Sequence, residues 1–285
     1  MPQTIGNPAS WGLRGLRTIG GHMVDSSRRV GSDDATEMPQ IRTLSRMDMR
    51  AAVWAGWRDF QASRSDAIFL VLLYPVIGLV LMAVGLQMAA LPLLFPLMAG
   101  FALLGPVAAV GLYEISRRRE TGENANWLSA FSVVQRPRFG AIFVLGLYLA
   151  GLFLLWMMAA NAVYVLTLGP GAPTSLSQFA MDVFTTAPGW AMMIIGFGVG
   201  FLFALLVLVV SLISFPMLLH RNVGLPVAVA TSVAVFRHNP RIVLSWGAMV
   251  AALLMLGSIP MLAGLIVVMP LLGHATWHFY RRAVI

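Results

Sequence analysis

The chain has no cysteine and no lysine, and few charges of any kind. Without cysteine there are no disulfides, thiolate metal sites, cysteine nucleophiles or iron–sulfur clusters. Charged residues make up 11% of the 285 residues, where a soluble domain carries about 25%. Hydrophobic residues reach 59%, and the mean hydropathy is +0.82. A soluble globular protein is excluded. All nineteen basic residues are arginines, set against eleven acids, which gives a net charge of +8. On so apolar a chain this excess points to a membrane surface, and no nucleic-acid partner is expected.

The charges are uneven along the chain. Residues 1–66 hold nine arginines and seven acids, and the remaining 219 hold ten arginines and four acids. Residues 1–40 are rich in Gly, Ser, Asp and Arg without a sustained apolar period. Such a composition buries too little surface to offset its ordering entropy, so a disordered cytoplasmic tail is expected there, with a membrane domain over 41–285. Five uncharged apolar stretches follow: Ala67–Gly85, Ala89–Tyr113, Phe139–Leu168, Trp190–Leu219 and Val243–Tyr280. A transmembrane helix needs about 20 such residues. The last stretch has 38, roughly 57 Å as one helix, so a turn is expected at Gly257-Ser258-Ile259-Pro260. The reading is an all-α polytopic membrane protein with six transmembrane helices in three hairpins.

With six spans every arginine falls on one side. Arg42, Arg46, Arg50, Arg58 and Arg64 precede the first span; Arg117, Arg118, Arg119, Arg136 and Arg138 lie between the second and third. Arg221, Arg237 and Arg241 lie between the fourth and fifth, and Arg281 and Arg282 follow the last. The alternate connections carry one charge, Asp182. The positive-inside rule makes the arginine side cytoplasmic, together with both termini.

Before each hairpin lies a short stretch that suits an interfacial amphipathic helix. These are Met47–Phe60, with Met47, Ala51, Trp54 and Ala55 on one face; Asn126–Val134, with Trp127, Phe131 and Val134; and Pro226–Phe236, with Val229, Val233 and Phe236. Two readings stand, a true threefold repeat of helix plus hairpin or the ordinary look of three arginine-bearing cytoplasmic loops.

The run Gly100-Phe-Ala-Leu-Leu-Gly-Pro-Val-Ala-Ala-Val-Gly-Leu-Tyr-Glu-Ile-Ser-Arg-Arg118 and the closing Gly273-His-Ala-Thr-Trp-His-Phe-Tyr-Arg-Arg282 resemble a family of bacterial integral membrane proteins, domain of unknown function 2189. The resemblance extends over roughly Ile41–Ile285. It implies a six-helix membrane fold in a bacterial inner membrane, and no activity, substrate or catalytic residue. Where the resemblance leads one to expect proline after the first amphipathic helix, this chain has Ala62-Ser63, which would let that helix run on.

Ionisable residues inside a membrane are functional candidates because they are costly there, and no span holds Asp, Glu or Arg away from its ends. Asn161 stands inside the third span and is expected to make an interhelical hydrogen bond. His274 and His278, at i and i+4, share a helix face near the cytoplasmic end. With His220 and Glu114 at similar depth they form a candidate metal site, and paired histidines are also candidate haem ligands. The competing reading is an interfacial belt of hydrogen-bonding histidines among aromatics and arginines. His238 is read as a solvated loop residue. Gly196, Gly198, Gly200, Gly146, Gly100 and Gly105 suit close helix packing, and Pro92, Pro96, Pro106 and Pro216 suit broken helices.

The functional expectation is a non-enzymatic accessory, scaffold or assembly partner of a membrane complex, or a homo-oligomer, with no resident cofactor and the lipid bilayer as its surroundings. The alternatives are a channel or transporter for a small or lipophilic molecule, and a haem- or metal-binding membrane protein.

Overall fold

In a computed structural model, residues 38–136 and 139–285 are described. The expected tail over 1–40 lies almost wholly outside them, as does Arg138. The protein is all-α, a multi-pass bundle built around its own C-terminal helix. Helix α1 (Arg46–Ala62) opens it. Ser45 caps this helix: its Oγ accepts from the Asp48 N–H at 3.1 Å, and the Asp48 carboxylate accepts from the Ser45 N–H at 2.9 Å. This reciprocal pair satisfies two otherwise orphaned groups. The helix does not run on past Ala62, because Ser63 bends the chain and returns its hydroxyl to the Asp59 carbonyl.

Five segments are long and apolar enough to cross a membrane: Ser65–Gly85, Leu91–Glu120, Phe139–Thr167, Ala187–His220 and Pro240–Ser258. Prolines break three of them, since each lacks an N–H for the carbonyl four residues earlier. The first span divides at Leu72, ahead of Pro75, into α2 (Arg64–Val71) and α3 (Leu73–Gly85). The second has a 3-10 turn at Leu91–Leu93, then α4 (Leu94–Leu103), α5 (Gly105–Ala108) and α6 (Val110–Glu120). A short α7 (Trp127–Phe131) and a 3-10 turn lead to the unbroken third span, α8 (Phe139–Thr167). The loop beyond it contains a helix that the sequence did not lead us to expect, α9 (Leu176–Thr185), capped by Ser175. The fourth span is α10 (Ala187–Ser211) and α11 (Ser214–His220), parted four residues before Pro216. Then come α12 (Leu225–His238), α13 (Pro240–Ser258) and α14 (Leu265–Ala283).

Three expectations need correction. The turn near Gly257 falls later, at residues 259–264, and its left-handed positions are Met261 and Leu262 (φ 47° and 66°). The glycines serve packing instead: a Cβ on Gly264 would lie 2.7 Å from the Gly257 carbonyl oxygen. Leu262 offsets its unfavourable backbone by burying its side chain against Gly78. The apolar faces assigned to the amphipathic helices are also displaced. Met47 and Trp54 are 79% and 66% exposed, and the buried face of α1 is Ala52, Ala55, Gly56 and Phe60. In α12 the buried residues are Ala228, Thr231, Ser232 and Val235. Its polar side points inward because Ser232 mends the broken fourth span: its hydroxyl accepts from Ile213 N–H (3.2 Å) and donates to the Val209 carbonyl (2.6 Å).

Of the glycines, Gly100 packs on Phe153 and Trp156, and Gly200 on Trp156, whereas Gly196 and Gly198 face open space. At Gly56 an added Cβ would sit 2.4 Å from the Ala275 backbone nitrogen. α1 therefore lies directly on α14. Overpacking costs roughly 1–3 kcal/mol even where neighbours can adjust, and here the neighbour is backbone. Gly56→Val is expected to lower the thermal unfolding midpoint in detergent, by about 2 kcal/mol or more. Gly196→Ala, which meets nothing, is expected to stay within about 1 kcal/mol of wild type.

Candidate functional site

Two close contacts bring three helices together at the arginine-rich end. Gly56 seats α1 on Ala275 of α14, and Gly273 of α14 lies so near α6 that an added Cβ would meet Leu112 Cδ1 at 2.5 Å. Within four residues of these points stand Asp59, Ser116, His274 and His278. Asp59 Oδ2 accepts from Ser116 Oγ at 2.7 Å and from His278 Nε2 at 2.8 Å, while Oδ1 accepts from Arg119 Nε at 3.2 Å. Ser116 Oγ is also 2.8 Å from His274 Nδ1. The serine hydroxyl has one proton, and giving it to Asp59 leaves Nδ1–H of His274 to donate to Ser116. His274 Nε2 then presents a lone pair, and it has no hydrogen-bond partner among the described residues. Ser116 and His274 are wholly buried, and their hydrogen bonds with Asp59 and His278 join three helices.

Burial alone would raise the Asp59 pKa. The hydrogen bonds from His278 and Ser116 outweigh it and hold the carboxyl at about 2. A carboxylate depressed in the folded state stabilises the fold above its unfolded pKa of about 3.9 and loses that contribution as pH falls through its folded value.

The four residues proposed as metal or haem ligands do not converge. The Glu114 carboxylate is buried and accepts from three guanidinium groups: Arg117 (2.9 and 3.0 Å), Arg118 (2.8 Å) and Arg136 (2.7 Å). His220 shares a 2.9 Å hydrogen bond with the Tyr280 hydroxyl and stands edge-on to Trp277. His274 and His278 turn to Ser116 and Asp59, not to loop carbonyls. Among the described residues, no three His, Cys, Asp or Glu side chains are placed to hold a metal ion. The reason is electrostatic: with arginines three and four residues beyond it, Glu114 is already neutralised on its own helix. Trp277 and Arg281 of α14 similarly bind Glu120 at 3.0 and 2.9 Å.

A second set of bonds ties the two ends of the described chain. Ile41 and Val284 form an antiparallel bridge, flanked by Arg42 N–H to the Ala283 carbonyl and Ile285 N–H to the Gln40 carbonyl, each 3.0 Å. Asn239 completes the clamp, accepting from Leu44 N–H at 2.7 Å and donating to the Arg42 carbonyl at 3.0 Å. His238 pairs with Thr43 at 2.9 Å and is not simply solvated. Asn161 is exposed and makes no interhelical hydrogen bond among the described residues; it lines a cavity of about 180 Å³ with Tyr164 and Pro92. Asp59, Ser116, Arg119 and Asn239 escape a sequence reading, since Asp59 and His278 are 219 residues apart. The one available signal is an acid three residues after Gly56, beside Arg58.

Asp59→Asn is expected to destabilise the protein by roughly 2–3 kcal/mol at pH 7. The gap between wild type and variant should narrow as pH is lowered from 4 to 2. Thermal unfolding in detergent across that range measures it, and a gap independent of pH would contradict the assignment.

No curated protein and no solved structure matches the chain. The family described as predicted integral membrane protein (DUF2189) matches residues 93–220. That stretch contains the Gly100–Arg118 run and excludes the closing Gly273–Arg282 segment, so it is narrower than the extent read from the sequence. Over residues 93–220 the chain is similar to the DUF2189 family of predicted integral membrane proteins.

Proposed function

We propose that this is a six-span, non-enzymatic protein of a bacterial inner membrane, with both termini cytoplasmic, acting as an accessory or assembly partner of another membrane complex or of a second copy of itself. The sixth span is α14. It is 19 residues long, and its second half carries the polar residues that bind α1 and α6. The clamp between residues 40–45 and 283–285 supports an even number of crossings, because a chain whose ends are hydrogen-bonded together begins and ends on one side. The arginine distribution makes that side cytoplasmic.

One observation carries the accessory role: acid–base groups are committed to joining helices, while the fourth and fifth spans are left bare. The most apolar windows of these spans are only 11% and 17% buried within the chain, against 33% for the third span. Gly196 and Gly198 lie on the bare fourth span with no neighbour within 4 Å, which allows another helix close approach.

Two measurements test this reading. A cytoplasm-dependent reporter should be active after Ile285 and near Asn124, and a periplasm-dependent one near Thr174; a periplasmic C-terminus would contradict six spans. A photo-crosslinking residue at Gly198 should give one discrete, stoichiometric adduct in native membranes, with a partner polypeptide or with the chain itself. Lipid adducts alone would contradict the accessory role.

A further inference from the structure

Between the second, fourth and fifth spans and α14 lies a cavity of about 100 Å³, open on one side. Along the second span its lining runs from Ala102 to Tyr113, and along the fifth from Trp246 to Leu254, or roughly 12–16 Å at 1.5 Å per residue. That extent suits a chain.

Its polar groups sit at one end. Tyr113, Ser211 and Trp246 are 2%, 3% and 1% exposed, and all three line the cavity. Among the described residues none of their side-chain polar atoms makes a hydrogen bond. Nor is any of the three among the polar atoms sealed inside protein. The cavity is the open space they face. Leaving such groups unpaired in an apolar setting costs free energy, and an indole N–H can only donate. The three therefore call for an acceptor. Thr276, the remaining hydroxyl of the lining, already donates to the Leu272 carbonyl at 2.7 Å. No charged side chain and no histidine lines the cavity, so the acceptor is uncharged.

Depth completes the picture. Tyr113 adjoins Glu114, and Trp246 is five residues from Arg241, so the donors lie near the charged ends of their helices. Ala102, Leu254 and Met269 lie deeper in the apolar part. A ligand that fits has a carbonyl oxygen near the headgroup boundary and a hydrocarbon chain running inward.

We propose that this cavity binds one acyl chain, whose uncharged ester carbonyl accepts hydrogen bonds from Tyr113, Ser211 and Trp246. The ester can belong to a bilayer phospholipid, with its phosphate outside, or to an uncharged acylglycerol. The proposal rests on the membrane placement alone. It concerns the isolated chain, so its failure leaves the accessory role standing, and the reverse holds.

The test uses the full chain in phospholipid nanodiscs with a monoacylglycerol bearing a diazirine in its acyl chain, and peptides are mapped after photolysis. Labelling should saturate, concentrate in residues 102–113 and 246–254, and be displaced by monoolein. Gly105→Leu projects into the cavity, where an added Cβ meets only Met269 at 3.8 Å; it should reduce labelling at least fivefold with the unfolding midpoint retained. The pair Tyr113→Phe with Ser211→Ala removes only oxygens and should weaken apparent affinity about tenfold, as should replacing the probe's ester by an ether. A phospholipid carrying the same diazirine chain that labels the same peptides identifies the bilayer as the source; labelling by the acylglycerol alone identifies the uncharged lipid. Unsaturable labelling spread over all lipid-facing helices would overturn the proposal. So would unchanged labelling in both variants, an ether probe that binds equally well, or displacement by decylubiquinone and not by monoolein.

Discussion

The bundle depends on the contact between Gly56 and Ala275, where two helix backbones meet with no side chain between them. In a membrane, helices gain little by burying apolar surface against one another, since lipid is equally apolar, and close packing with interhelical hydrogen bonds takes over. Gly56 permits the packing, and Asp59, three residues on, supplies the hydrogen bonds to α14 and α6. A side chain at position 56 would push α1 away and strand the Asp59 carboxylate from both partners. The segment at 40–45 could then no longer reach Ala283, Val284 and Ile285.

The same economy appears wherever the backbone is broken. A helix interrupted inside a membrane leaves amide groups that water cannot satisfy. Here hydroxyls from other elements fill the gaps. Ser232 of α12 sits between Val209 and Ile213 at the break in the fourth span. Tyr74 donates to the Phe101 carbonyl of the second span at 2.6 Å, near its break at Leu104. Tyr164 donates to the Gly171 carbonyl in the loop beyond the third. Against this background the donors of Tyr113, Ser211 and Trp246, unpaired among the described residues, differ from Ser232, Tyr74 and Tyr164.

Features set by local rules were legible in the sequence. The all-α class follows from long apolar runs, and the broken second and fourth spans follow from Pro92, Pro96, Pro106 and Pro216, whereas the break in the first span at Leu72 was not expected. The Glu114 cluster was half legible: Arg117 and Arg118 stand three and four residues on, which already argues for an ion-paired carboxylate over a metal ligand, while Arg136 comes from a separate segment. Features set between distant residues were not legible. Ser116 and His274 are 158 residues apart, and only the folded bundle brings them together. The amphipathic faces misled for a physical reason. In a soluble protein the large apolar side chains point inward, but here Met47 and Trp54 point away from the protein and small residues point in, because close helix approach decides burial.

The architecture rests on the segment around Ile41 and the residues around Val284 being hydrogen-bonded side by side at one end of the bundle. Ile41 and Val284 form a non-hydrogen-bonded antiparallel pair, for which Cα atoms lie about 4.5 Å apart, within the span a disulfide bridges. The chain has no cysteine of its own, so the double variant Ile41→Cys, Val284→Cys carries no competing thiol. Mild oxidation in native membranes should close an intramolecular disulfide in nearly every molecule, seen as a mobility shift that reductant reverses. Free thiols after oxidation, or crosslinks only between chains, would place the two ends apart and contradict the architecture described.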